Sequence, residues 1–259
     1  VGDVEIDTEH PLAKYINNYL LFQDGQLIDL AGSVAFGEIT DIDSVRKKAT
    51  GNEIHLEGNG SSNAQPIVVS NSKDLSNGSV YMSGSFDNVV GAGVFFSLRT
   101  SDSTPNTLLF RSTDSAVNLR LAGSTVSLTS SKAIFNTTIS TNKLITWGGG
   151  VRRTLYVDGV QEGTDATAFT WSNRSDDEFI LYGDGQAGGN VTDSWQSSAI
   201  VFSKELTAGE AKSLQDNPYQ ILKPKTQPVY WTAGAAPVGT GPKGPFTHPL
   251  YGPFRGPIS

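Results

Sequence analysis

The chain has 259 residues, 37% of them hydrophobic and 17% charged, which suits one large all-β domain with appendages, or two small domains, with enough length to bury a core without crosslinks. It contains no Cys, which excludes a disulfide framework, a thiol nucleophile and a thiolate metal site. The net charge is -7 and no basic run exceeds Arg46-Lys47-Lys48, so the concentrated cationic face that nucleic acid or an anionic membrane requires is missing.

At the N-terminus, Val1-Gly2-Asp3-Val4-Glu5 carries no signal-peptide pattern, and no apolar stretch in the chain approaches the roughly 18 residues of a membrane span. Val1 in first place and a single methionine, Met82, lead us to expect that the initiator precedes this sequence. Residues 1–9 read as an N-terminal segment. Within it, the alternation of Glu5-Ile6-Asp7-Thr8-Glu9 would put three carboxylates on one face of a strand. Ala13 to Phe22 has helical spacing at Leu12, Ile16, Tyr19 and Leu20, yet Tyr19 to Phe22 suits a buried strand. The strand is favoured on context.

From Val80 onward, short alternating runs are separated by turn residues: 80–86, 93–99, 107–111, 117–121, 124–128, 143–147, 153–157, 178–182 and 197–202. Period-two alternation gives each an apolar face, and their number and spacing predict two packed antiparallel sheets. Asp158-Gly159 between Val157 and Val160 is a hairpin signal, because both central positions of a type I′ turn require positive φ. Ala122-Gly123 plays a similar part between Leu121 and Ser124. Thr207 with Glu210 three residues on forms a capping-box pattern for one short helix over 207–214, which Asn217-Pro218 ends.

Composition changes after Ala236, where half of the 12 prolines interleave with Gly. Such a stretch cannot supply ladder hydrogen bonds and is expected to be extended. Phe246, Leu250, Tyr251, Phe254 and Ile258 punctuate it as apolar anchors, so residues 223–259 read as an arm that docks on a partner surface, preferentially a neighbouring subunit.

Trp147-Gly148-Gly149-Gly150 followed by Thr154-Leu155-Tyr156-Val157-Asp158-Gly159-Val160 resembles the jelly-roll hairpin of laminin G-like and concanavalin A-like domains. Phe179-Ile180-Leu181-Tyr182-Gly183 resembles the family's next strand, and Ser197 to Phe202 with Leu206 and the 208–214 helix resembles its closing strand and helix. His10-Pro11-Leu12-Ala13-Lys14 and Asp29-Leu30-Ala31-Gly32 look like degenerate forms of its opening strand and turn. The resemblance spans residues 10–222 and implies an all-β, two-sheet antiparallel jelly-roll sandwich with one short helix and an extended C-terminal arm. Asn217-Pro218-Tyr219-Gln220-Ile221-Leu222-Lys223-Pro224 is similar to the tail that follows such domains in tailed-bacteriophage proteins. That likeness implies a non-enzymatic virion structural protein on the particle exterior, expected to be a head decoration or cement protein. Its partners would be capsid or tail proteins and further copies of itself. The alternative is a lectin-like module of a tail fibre or cell-surface protein, binding a host-surface glycan.

Candidate sites follow from side-chain chemistry. Glu5-Ile6-Asp7-Thr8-Glu9 resembles the carboxylate strand of laminarinase-type glycoside hydrolases, but its position before any core strand argues against catalysis. His10, His55 and His248 are scattered, with no Gly-x-Ser-x-Gly elbow to build a triad around, so no catalytic residue is assigned. Trp171, Tyr182 and Trp195 are the candidate glycan platforms, weighed against aromatics that merely belong to the core. Asp184, Asn190 and Asp193 are the candidate calcium donors, in and beside the Gly-rich stretch 183–190; no other cofactor is expected.

Overall fold

The computed structural model describes residues 4–23, 26–32, 42–48, 51–56, 67–70, 76–88, 94–99, 105–113, 116–121, 124–131, 140–150, 152–168, 178–181 and 193–225. In chain order these form β1 (Val4–Ile6), a 3-10 turn (Ala13–Tyr15), β2 (Ile16–Gln23), β3 (Gln26–Asp29), β4 (Ile42–Lys48), β5 (Gly51–Leu56), β6 (Ile67–Ser70), β7 (Gly78–Asn88) and β8 (Val94–Arg99). There follow β9 (Pro105–Thr113), β10 (Ala116–Leu121), β11 (Ser124–Thr129), β12 (Thr141–Gly148), β13 (Arg152–Val157), β14 (Val160–Asp165), β15 (Glu178–Leu181), β16 (Asp193–Phe202), α1 (Ala208–Asp216), a second 3-10 turn (Pro218–Ile221) and β17 (Leu222–Pro224). One compact unit ends at Lys225. The arm anchors Phe246, Leu250, Tyr251, Phe254 and Ile258 lie outside the described residues.

The strands assemble into two large antiparallel sheets, confirming the β-sandwich. One runs β11-β10-β9-β8-β15-β6; the other runs β14-β13-β12-β7-β16-β2-β3, with β5 joining β16 and β4 joining β5. The expected segment 13–22 resolves into the 3-10 turn followed by strand β2. The β13–β14 hairpin turns on Asp158 (φ 48°) and Gly159 (φ 79°), the two positive-φ positions that Asp-Gly supplies. The helix is capped as its sequence requires: the Thr207 hydroxyl accepts from the Glu210 backbone N–H, and the Glu210 carboxylate accepts from the Thr207 N–H.

Both faces of the central strands of the nine-stranded sheet are buried. Tyr156, Leu144, Tyr81, Ile200 and Tyr19 stand in one cross-strand row and pack beneath Leu206, Ala211 and Leu214 of the helical segment and Ile221 of the second 3-10 turn. The alternate residues Leu155, Ile145, Val80, Val201 and Leu20 are also buried, on the face toward the six-stranded sheet. From that sheet β11 contributes buried Val126 and Leu128 between exposed Ser127 and Thr129. The molecule is therefore a sandwich with a helical third layer, and β12 is buried along almost its whole length.

Along one side the two sheets meet edge to edge. Gly163 of β14 lies against the β11 backbone, where a Cβ would stand 3.0 Å from the Thr129 carbonyl oxygen and 3.1 Å from its nitrogen. The Ser131 N–H donates to the Glu162 carboxylate across the same seam, at 2.8 Å.

Candidate functional site

With both faces of the central strands buried, the ends of the sandwich are where intervening chain can meet a ligand. The registers assign those ends. Asp193 is opposite Asn88, Ser194 opposite Leu56 and Phe86, and Thr141 opposite Gly84, so the ends of β5 and β7 and the starts of β12 and β16 share one end of the large sheet. In the six-stranded sheet Ile67 and Phe96 flank Leu181, Val94 faces Phe110, and Ala116 faces Thr129. The connections β5–β6, β7–β8, β11–β12 and β15–β16 consequently all cross between sheets at this end. The β6–β7 and β14–β15 connections cross at the other, where Glu178 pairs with Ser70 and Arg153 with Asp165.

The sheet beneath the four-crossing end is polar. Lys143, 2% exposed, points its ammonium group at the carbonyl oxygens of Gly84 (3.1 Å) and Thr141 (3.0 Å), supplying donors where the ladder runs out. Ser85, Gln196 and Ser198 are buried at the same level. On the helix side, the Tyr81 hydroxyl donates to Asn142 Oδ1 (3.0 Å) and the Asn142 N–H to Asp158 Oδ1 (2.9 Å). Gln215 of α1 then joins the β12 and β13 ends, accepting from the Gly159 N–H (2.7 Å) and donating to the carbonyls of Asn142 (2.8 Å) and Tyr156 (3.3 Å). Burial pushes the Tyr81 phenol above the ordinary tyrosine range, and does the same to Tyr19, whose hydroxyl donates to the Pro218 carbonyl at 2.8 Å. These phenols serve as neutral hydrogen-bonding struts.

At the opposite end the described side chains hold one another. Arg152 forms a two-pronged ion pair with Glu205, whose hydrogen bond and charge raise the guanidinium pKa, and Asn77 Oδ1 accepts from the Gly149 N–H at 2.9 Å. Arg153, fully buried, reaches Asp165 at 3.5 Å; burial lowers its pKa and Asp165 opposes the shift.

The sequence-derived candidates fall on two different connections of the chain. Leu181 and Asp193, at the four-crossing end, bracket Tyr182, Asp184 and Asn190, while Asp165 and Glu178, at the other, bracket Trp171. Trp171, Tyr182, Asp184 and Asn190 themselves lie outside the described residues. Asp193 and Trp195 are backbone positions of β16, opposite Asn88 and opposite both Ser85 and His55.

Of the N-terminal carboxylates only Glu5 lies in a strand, which corrects the expectation of three on one strand face. β1 stops at Ile6, Asp7 Oδ1 accepts from the Glu9 N–H (3.2 Å), and Glu5 and Asp7 both approach Lys223, at 3.8 and 3.6 Å. His10 is likewise local, its Nδ1 accepting from the Leu12 N–H at 3.2 Å. Sequence reading missed Lys143, Arg153 and Gln215, which carry no motif; only the three-dimensional pairing shows what they hold.

No protein-family model matches the chain, and no curated protein matches its sequence. Its fold is shared with solved structures of low sequence identity. Domain 4 of AbnA, an extracellular GH43 arabinanase from Geobacillus stearothermophilus solved in complex with arabinotriose, is 13% identical with a TM-score of 0.59, over 78% of this chain and 98% of that domain. The binding domain of Paraclostridial Mosquitocidal Protein 1 is 13% identical, with a TM-score of 0.60 over 80% and 53%. The receptor-binding domain of botulinum neurotoxin type G is 14% identical, with a TM-score of 0.57 over 78% and 51%. The chain spans about half the length of the mosquitocidal-protein and neurotoxin binding domains and nearly all of the arabinanase domain.

Proposed function

We propose that this chain is a non-catalytic carbohydrate-binding sandwich whose ligand meets the end where four connections cross between the sheets. The observation that carries the reading is the likeness to the arabinanase domain, matched over 98% of its length and solved with a trisaccharide. Fold likeness alone does not transfer a ligand, so the residues of this chain must supply the argument. Tyr182 and Trp195, which follow Leu181 and open β16, are the stacking candidates; Asp184, Asn190 and Asp193 offer oxygen donors to sugar hydroxyls or to calcium.

The test is a glycan array probed with the full chain, with and without calcium, covering neutral arabino- and gluco-oligosaccharides and sialylated headgroups. At least one class should bind, and Trp195→Ala, verified as folded by circular dichroism, should weaken that binding by about tenfold or more, equivalent to roughly 1.4 kcal/mol. Uniform failure to bind across the array would retire the reading. The unmodified chain should show no turnover of the bound glycan above background; turnover that Glu5→Gln with Glu9→Gln abolishes would refute the non-catalytic reading.

A second reading, a virion exterior protein that clamps capsid or tail subunits, is favoured by the 217–224 sequence and by the apolar anchors Phe246, Leu250, Tyr251, Phe254 and Ile258 in a Pro/Gly-rich stretch. Deleting 237–259 should then abolish particle association while the sandwich stays folded. The two readings are compatible, since a particle-borne sandwich can present a glycan site.

A further inference from the structure

β1 and β17 form a two-stranded ribbon belonging to neither large sheet. Val4 faces Pro224, Glu5 faces Lys223 and Ile6 faces Leu222, and the Asp7 N–H donates to the Ile221 carbonyl at 2.7 Å. The chain thus enters this ribbon at Val4 and leaves it directly opposite, at Pro224. Its attachments are modest. Val4, Ile6, Tyr219 and Leu222 are only partly buried against the core cluster, and Lys223 is half-exposed with ion pairs to Glu5 and Asp7 beyond 3.5 Å. A ribbon of three pairs has no independent stability. Ile221, by contrast, is fully buried, and the turn before it is fixed by Asn217, whose side chain accepts from the Tyr219 N–H.

From this contrast we infer that β1–β17 is a clasp that opens and closes while the sandwich and α1 remain folded. Closed, it holds the chain before Val4 and the chain after Pro224 at one point. Open, it lets them separate, with Ile221 as the fixed hinge. Because entry and exit are opposite each other, tension between the two sides loads the pairs one at a time, the Val4–Pro224 pair first, instead of shearing all three together.

The absence of Cys makes a clean test available. Directly opposed antiparallel residues have Cα separations of roughly 4.5–5.5 Å, inside the range a disulfide spans. Val4→Cys with Pro224→Cys in the full chain should therefore crosslink on oxidation, and failure to do so would overturn the pairing on which the clasp rests. Hydrogen exchange at Asp7 reports opening. In the unmodified protein, and in a Val4→Ser/Pro224→Ser folding control, Asp7 should exchange at least about 100-fold faster than Ile200 in the core after correction for intrinsic rates. Oxidation of the double-Cys variant should slow Asp7 by about tenfold or more, with Ile200 unchanged, and reduction should reverse it. If Asp7 exchanges as slowly as Ile200 in the unmodified protein, or if crosslinking leaves Asp7 unaffected, the clasp does not open on its own and the inference fails.

Discussion

Replacing Gln215 with alanine isolates the polar joint between α1 and the sheet. The side chain is 4% exposed, accepts one hydrogen bond from Gly159 and donates to the carbonyls of Asn142 and Tyr156. The bond to Tyr156, at 3.3 Å, is the weakest of the three by length. Counting about 1 kcal/mol for each shorter bond, less for the long one, and adding the cost of groups left without a partner, the loss comes to roughly 2–4 kcal/mol. For a body of this size that corresponds to a fall of roughly 4–16 °C in Tm. Gln215→Glu separates the terms, because it keeps an acceptor for Gly159 but turns a carboxylate toward two carbonyl oxygens. It should destabilise at neutral pH at least as much as alanine and recover part of the loss as the carboxyl protonates. Urea unfolding followed by tryptophan fluorescence, with Trp147 as a buried reporter, gives both numbers. A loss below about 0.5 kcal/mol for both variants would show that the joint is not where the helix is held.

Two further predictions concern the seam and the cap. Gly163→Val would drive its side chain into the Thr129 backbone, which cannot rotate away, so it should cost about 1–3 kcal/mol, read as a shift in the urea midpoint. Glu210 has burial pushing its pKa upward, but its bonds to Lys204 and to the Thr207 N–H and hydroxyl outweigh this and leave the carboxyl below its ordinary 4.5. A depressed folded pKa contributes stability that is present above the unfolded value and is lost as pH falls through the folded one. Stability measured from pH 5 down to pH 3 should therefore decline less steeply in Glu210→Gln than in the parent, and parallel curves would refute the assignment.

The parts of the fold legible in the sequence are those fixed by local chemistry. Asp158-Gly159 specifies its turn through backbone conformation, and Thr207 with Glu210 specifies its cap through two reciprocal bonds; neither depends on distant residues. Alternation also located the strands from β7 onward, but it could not tell which face was inside. In β12, alternation puts Lys143, Ile145 and Trp147 on one face and Leu144 and Thr146 on the other, one polar residue on each, yet all five are buried. Lys143 shows the limit most clearly, since its ammonium is accommodated by the carbonyl of Gly84 on β7, 59 residues away, and that of Thr141 on its own strand. The first 70 residues were less legible because β2 joins β16 and β5 joins β16 across long separations, so nothing local marks their pairing.

The 217–224 segment shows how a motif can carry a family resemblance and a structural duty at once. Asn217 closes α1 and opens the next turn, its side chain accepting from Tyr219 N–H while Pro218 takes the first position, where no N–H is needed. The Pro218 carbonyl accepts from Tyr19, Ile221 enters the core, and Leu222–Pro224 pairs with β1. Every one of these contacts brings the chain from the helix back to its own N-terminal strand, so the segment is explained by closing the sandwich, whatever particle or surface carries it. The contacts of this segment are thus silent on the ligand. The ligand proposal turns instead on Tyr182, after β15, and Trp195, in β16, where substitution is expected to weaken binding while the sandwich stays folded.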